Sequence, residues 1–196
     1  PENVAFVRME ATTNLIGGQP FSLANLREVK KLIGPMGIPL VIDASLISEN
    51  AYFIHEREDG YQNKSISDII REMMAEADLC YLSGRKSCSV RGGFIATNNK
   101  TLFNAIRPWL PVYEGFFTYG GMSSKEIEAM AVGVREMTDL EVAGSSADMI
   151  KYFAERLIAN EVPVVTPPGG LACHLDAGRF IPNIPQLQYP AGALGA

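Results

Sequence analysis

The sequence predicts an α/β fold, with a mostly parallel sheet and helices flanking it. Short apolar runs alternate with amphipathic stretches along all 196 residues, which is how layered α/β chains read. The run at 38–44 is nearly all apolar, as a strand buried on both faces of a parallel sheet requires. The composition, 47% hydrophobic and 20% charged, is that of a globular chain able to build one substantial core.

Taken in order, residues 3–9 are predicted as a strand. The turn-rich Gly17-Gly18-Gln19-Pro20 follows, then Ser22 as a helix cap. Leu26, Val29 and Ile33 form one helical face, and Gly34-Pro35 stops it. The apolar run 38–44 carries Asp43 near its end. Ser65-x-x-Asp68 reads as a capping box opening a helix over 65–77. Residues 79–82 form a second buried strand ending at Ser83-Gly84, and 93–97 a further one. Ser123-x-x-Glu126 caps a helix to about Met137, and Ile150, Phe153, Ala154 and Leu157 set the apolar face of the next. Residues 162–166 and 172–176 are predicted as strands bracketing the turn Pro167-Pro168-Gly169-Gly170. The rhythm changes near residue 140, which predicts a division into 1–140 and 141–196, the second part beginning a smaller α/β domain.

A net charge of −5 argues against a general nucleic-acid surface, which needs a basic patch. Cys80, Cys88 and Cys173 form no C-x-x-C pair, so neither a disulfide framework nor a zinc site is expected. With His55 and His174 the only histidines, no metal centre is predicted, and a reducing, cytoplasmic setting fits. No apolar run approaches a membrane span and no leader is visible. The chain opens at Pro1 without an initiator methionine and closes on Ala-Gly-Ala-Leu-Gly-Ala, the pattern of a segment of a longer protein.

Parallel sheets place functional groups at the carboxyl ends of their strands. Two such ends are chemically loaded: Asp43 closes one buried run, and Ser83-Gly84-Arg85-Lys86 follows another. Charged residues often stand where a strand meets solvent, and spacing alone leaves that reading open. The other reading is a pyridoxal-phosphate site. It needs a lysine for the Schiff base, a carboxylate to keep the pyridine nitrogen protonated, and donors for the phosphate.

The stretch Ser83-Gly84-Arg85-Lys86-Ser87-Cys88, followed by Gly92-Gly93-Phe94, resembles the lysine motif of the tryptophanase and tyrosine phenol-lyase (β-eliminating lyase) family. Asn14 to Pro20, Asp43-Ala44-Ser45 with Glu49 to Ile54, Tyr113 to Gly121, Glu128 to Gly133, and Gly169-Gly170 with Leu175-Asp176-Ala177 resemble it in the same order. The resemblance implies the large domain of a fold-type-I pyridoxal-phosphate enzyme. It further implies β-elimination from an L-amino acid, releasing a leaving group, ammonium and a keto acid, in a homotetramer with active sites shared between subunits. By the same resemblance Lys86 carries the cofactor and moves the α-proton, and Asp43 pairs with the ring nitrogen. Asn14 bonds the cofactor's phenolic oxygen, Ser83 and Arg85 hold the phosphate, Tyr119 lies in the site near a subunit boundary, and Phe116 lines the side-chain pocket in the manner of tryptophanase.

Each residue also has a structural reading. Asn14 before a Gly-Gly turn can cap a strand, and Phe116 and Tyr119, clustered with Tyr113 and Phe117, can be core packing. Cys88 reads as a small buried residue, His174 as structural, and the run Glu56-Arg57-Glu58-Asp59 as a solvated loop. Three places depart from the family pattern. Leu46 stands where an arginine faces the phenolic oxygen, and Leu171 where a histidine follows Gly169-Gly170. The segment between Lys86 and Gly92 is one residue short, at the family's monovalent-cation site. The main phosphate loop and ring-stacking aromatic map before Pro1, and the substrate-carboxylate arginine after Ala196. Other pyridoxal-phosphate chemistry, γ-elimination or transamination, and a non-catalytic scaffold role are the competing expectations.

Overall fold

The computed structural model describes residues 3–196. Its sheet contains β1 (Val7–Glu10), β2 (Leu40–Asp43), β3 (Leu79–Ser83) and β4 (Gly93–Ala96), in that spatial order. β1 and β2 pair in parallel, as do β2 and β3, while β4 is antiparallel to β3. The expected mostly parallel sheet is therefore present. The first strand is displaced from the predicted 3–9, starting at Val7 and running to Glu10.

The parallel connections are helical. α1 (Leu23–Ile33) joins β1 to β2, and α2 (Ile47–Arg57) with α3 (Ile66–Glu76) joins β2 to β3. After β4 come α4 (Lys100–Ile106), α5 (Leu110–Tyr113), α6 (Ser124–Glu136), the long α7 (Leu140–Ala159), and the short α8 (Ala177–Phe180) and α9 (Pro190–Gly195). Capping chemistry sets several of these boundaries. Ser22 accepts from Asn25 N, and Ser123 with Glu126 closes a complete capping box on α6. At α3 only half of the expected box forms: Ser65 Oγ accepts from Asp68 N, and Asp68 takes the Ser65 hydroxyl instead of its backbone N–H. Aspartate is one methylene shorter than the glutamate that reaches back in a full box.

Alternation along each strand separates two sheet faces. Leu40, Ile42 and Leu82 face a core built with Leu26 and Ile33 of α1, Ile47, Ala51 and Ile54 of α2, and Ile66, Ile69 and Met73 of α3. The opposite face carries Arg8, Glu10, Val41, Asp43, Leu79, Tyr81 and Ser83 in register, and none of these joins that core cluster. The polar strand ends thus lie on the face turned away from the helical layer.

Three expectations are corrected. The segments 162–166 and 172–176 are not strands: they share one antiparallel bridge, Val164 with Leu175, flanked by Val165 N to His174 O and Asp176 N to Pro163 O. Pro163 and Pro167 have no N–H to extend the ladder. Of the predicted apolar face of α7, Ala154 is fully buried but Phe153 is half exposed, and the helix also buries Ala143, Gly144 and Ala147. Small residues are needed there because the Tyr52 ring leaves only 2.6 Å for a Cβ at Gly144. The run 56–59 is not merely solvated loop. Glu58 accepts from Leu23 N (2.7 Å) and Ala24 N (2.9 Å), capping α1 from the end of α2.

Candidate active site at the β2 and β3 strand ends

Because β2 and β3 are parallel neighbours, their carboxyl ends lie side by side, with Asp43 opposite Tyr81. Ser45 ties the two ends together. Its N–H donates to Asp43 Oδ1 (3.1 Å), its hydroxyl accepts from Ser83 N (3.1 Å), and its carbonyl accepts from Ser87 N (3.4 Å) and Ser87 Oγ (3.1 Å). Lys86 is exposed between these two anchored serines. The loop closes on itself through Gly84 N to Gly92 O and Val90 N to Gly84 O, both 2.8 Å. Glycine is required at position 84, where a Cβ would stand 2.8 Å from Val90 O and 2.4 Å from the Met130 side chain of α6.

Asp43 is half buried. Tyr81 lies against it from β3, and Arg8 Nη1 of β1 donates to the Tyr81 hydroxyl at 3.2 Å. Burial raises the Tyr81 pKa and the neighbouring Asp43 carboxylate raises it further, so the phenol stays protonated. Arg8 also pairs with Glu10 at 3.5 Å. Arg8, Tyr81 and Glu10 carry no motif of their own in the sequence. Their signal was positional: odd-even spacing puts them on the Asp43 face, once register is known.

Asn14 opens a short 3₁₀ turn, Asn14–Ile16, just beyond β1. Its side chain is exposed and makes no hydrogen bond among the described residues, so it does not act as the cap that a turn position suggested. Its backbone is held by Glu10 Oε1 to Asn14 N, 3.0 Å. The fully buried Asn50 of α2 fixes the surrounding loop, accepting from Thr12 N and Phe21 N and donating to Phe21 O. Gly17 and Gly18 then meet Gly169 and Gly170. Gly170 N donates to Gly18 O at 2.8 Å, and a Cβ at Gly169 would come within 2.2 Å of Gly17 O. The two glycine pairs noted in the sequence thus form one backbone-to-backbone contact.

Leu46 is buried, with its carbonyl accepting from Thr12 Oγ1 at 3.0 Å. Leu171 is half buried beside Gly18. Arg85, next to Lys86 in the chain, is exposed and lines, with Ser89, Val90 and Arg91, an open recess of about 440 Å³. Cys88 is buried against Met137 and burial raises its pKa, which suits a packing role and not a nucleophile. Phe116 and Tyr119 stack at 5.1 Å but are exposed, as are Tyr113 and Phe117, so this cluster is not core packing. No hydrogen bond joins Phe116 or Tyr119 to Lys86 or Asp43 among the described residues. No cluster of three or more His, Cys, Asp or Glu able to hold a metal is found among the described residues, and no described helix is long and apolar enough to cross a membrane.

The family model for β-eliminating lyases matches residues 1–176. The chain belongs to the β-eliminating lyase family. Among its relatives, the tyrosine phenol-lyase of Fusobacterium nucleatum subsp. nucleatum is 45% identical over 196 residues, and that of Pasteurella multocida 43%. Each alignment covers 100% of this chain and 43% of the relative, so the chain spans less than half the length of the curated relatives it matches. In fold, this family member superposes on a Listeria monocytogenes protein assigned as an L-allo-threonine aldolase, with TM-score 0.62, 23% identity, 85% of this chain and 42% of that one. A second match is an Exiguobacterium structure assigned as an aromatic amino acid β-eliminating lyase/threonine aldolase, with TM-score 0.60, 21% identity, 95% of this chain and 50% of that one. The α/β fold expected for the family is therefore the one present.

Proposed function

We propose that the parent enzyme is a pyridoxal-phosphate-dependent lyase that eliminates a β-substituent from an L-amino acid, releasing the leaving group, ammonium and a keto acid. The observation carrying this reading is the Ser45 tie, which holds the Lys86 loop against the strand end bearing Asp43. The donor set fits the cofactor: an exposed amine, a half-buried carboxylate, an uncommitted amide at Asn14, a serine hydroxyl at the end of β3, and Arg85 lining an open recess. When bound, pyridoxal phosphate supplies an electron sink for charge developing at the substrate Cα. Lys86 would bind it through Nζ and carry the proton at Cα. Asp43 would hold a proton on the ring nitrogen, with the Tyr81 hydroxyl and Arg8 keeping its carboxylate oriented. Asn14 would donate to the phenolic oxygen, and Ser83 and Arg85 would bind phosphate oxygens.

Tyr119 and Phe116 are proposed to enter the site from an assembly of subunits, consistent with their exposure here. A homotetramer in the cytoplasm is the assembly and setting we propose, and a monovalent cation beside the shortened 87–91 segment is a ligand to be tested by titration with potassium. The division into 1–140 and 141–196 is likewise a proposal. It rests on the change from sheet-bearing segments to the long α7 and short elements that follow.

Leu46 favours a second reading, different pyridoxal-phosphate chemistry on the same scaffold, because an apolar buried side chain brings no positive charge to the phenolic oxygen. The test uses the full-length protein. Supplied with pyridoxal phosphate it should absorb in the visible region, and Lys86→Ala should abolish that band. Candidate amino acids should yield ammonium and keto acid in equal amounts; keto acid without ammonium would support transamination. A colourless wild-type protein overturns the proposal.

A further inference from the structure

Glu49, in the first turn of α2, is only 9% exposed. Its Oε2 lies 2.7 Å from Ser87 Oγ, and that same hydroxyl lies 3.1 Å from the carbonyl oxygen of Ser45. A serine hydroxyl has one proton to donate, and an ionised carboxylate and a carbonyl are both acceptors only. With Glu49 ionised, one of these two contacts has no hydrogen between its oxygens. Protonating Glu49 completes the count: Glu49 O–H donates to Ser87 Oγ, and Ser87 O–H donates to Ser45 O.

The surroundings agree with a neutral acid. No cation pairs with Glu49 among the described residues. The lysine loop faces it with Ser87 and the buried Cys88 thiol, and the 167–170 loop with Gly170, whose Cβ would stand 3.3 Å from Glu49 Cβ. On the neighbouring helix α7, Ser146 bonds Gly170 O and Asp148 bonds Tyr52. Burial raises the Glu49 pKa, against weaker lowering by Ser87 and by its own backbone N–H.

We infer that Glu49 is a neutral carboxylic acid at neutral pH and a positioning residue for Lys86, relaying one hydrogen-bond chain through Ser87 to Ser45. Its importance for Lys86 rests on the function proposed above; its protonation does not. A raised folded pKa has a defined sign. The contribution to stability is present in acid and is lost as pH climbs from the ordinary carboxylate range through the folded value. Above it, the Ser87 hydroxyl turns to donate to the Glu49 carboxylate, and Ser45 O keeps only the 3.4 Å bond from Ser87 N.

Infrared difference spectra of the full-length chain, wild type minus Glu49→Gln at neutral pH, test the protonation. A carbonyl stretch of protonated carboxylic acid, lost in Glu49→Gln and bleached in the wild type at high pH, is expected. Loss of carboxylate bands instead overturns the inference. Pyridoxal-phosphate binding tests the positioning. Glu49→Gln, whose amide can donate to Ser87, should bind within about twofold of wild type, while Glu49→Leu and Ser87→Ala should bind roughly tenfold more weakly, the scale of a lost buried hydrogen bond. Wild-type affinity in Glu49→Leu overturns the positioning role. Failure of the wild type to bind the cofactor overturns the proposed function and the positioning role with it, and leaves the infrared result to decide the protonation.

Discussion

Ser45 contributes four hydrogen-bonding contacts at the two strand ends, through its N–H, hydroxyl and carbonyl. Only the hydroxyl is lost in Ser45→Ala, leaving Ser83 N without its partner. The expected cost is about 1–2 kcal/mol, measured as a lower urea midpoint at unchanged slope. Cofactor affinity should fall with it if Lys86 carries the cofactor. At this scale the sequence was informative about types and blind to partners. Asp43 and Lys86 stood out because a charged residue closing an apolar run is a visible break in pattern. Tyr81 and Arg8 read as ordinary strand residues, and Glu49 and Asn50 only as members of a run resembling the family, with no role of their own. Their roles come from cross-strand register and from contacts between segments about 30 to 75 residues apart, which periodicity does not encode.

Among the elements, α1, α3 and α6 begin where Ser22, Ser65 and Ser123 predicted, because the capping signal is local and lies within four residues. The signal failed where the partner was remote. Glu58 satisfies two orphan amides of α1 from another helix, so Glu58→Ala should cost about 1–2 kcal/mol, read as a lower thermal midpoint. Glu58→Gln should recover part of the loss, since its amide oxygen can still accept. The segments 162–166 and 172–176 differ from expectation for a related reason. Their apolar alternation suggested strands, but Pro163 and Pro167 remove the donors that a ladder needs. The Lys30–Asp78 pair, 2.6 Å apart, also links α1 to the start of β3, and Asp78 accepts from Leu40 N at 2.7 Å. Burial alone would raise the Asp78 pKa, but Lys30 and the Leu40 N–H outweigh it and hold it below the usual carboxylate range. Its contribution is therefore present above the unfolded pKa and lost as pH falls through the lower folded value. Acid unfolding should show this, and Asp78→Asn should flatten the pH dependence below about pH 4.

The whole molecule exposes 12254 Å². A compact monomer of 21.3 kDa is expected to expose roughly 9,100 Å². The excess includes the aromatic stretch around Trp109, Tyr113, Phe116 and Phe117, which the assembly proposed above would cover. An isolated 1–196 segment should therefore bind a hydrophobic dye strongly, and the full-length protein should not. Equal dye binding by the two would count against such burial. Composition could not reveal this, because a residue covered by another part of an assembly reads the same as one in a core.

The contact between Gly17-Gly18 and Gly169-Gly170 also has a kinetic meaning. With Gln19 Nε2 donating to Pro167 O at 2.7 Å, it joins positions 148 residues apart. Closing so long a loop costs on the order of 4 kcal/mol of chain entropy. The sheet and its helices must exist before that cost can be met, so this latch should form late. Substitutions in it should speed unfolding while leaving the folding rate nearly unchanged.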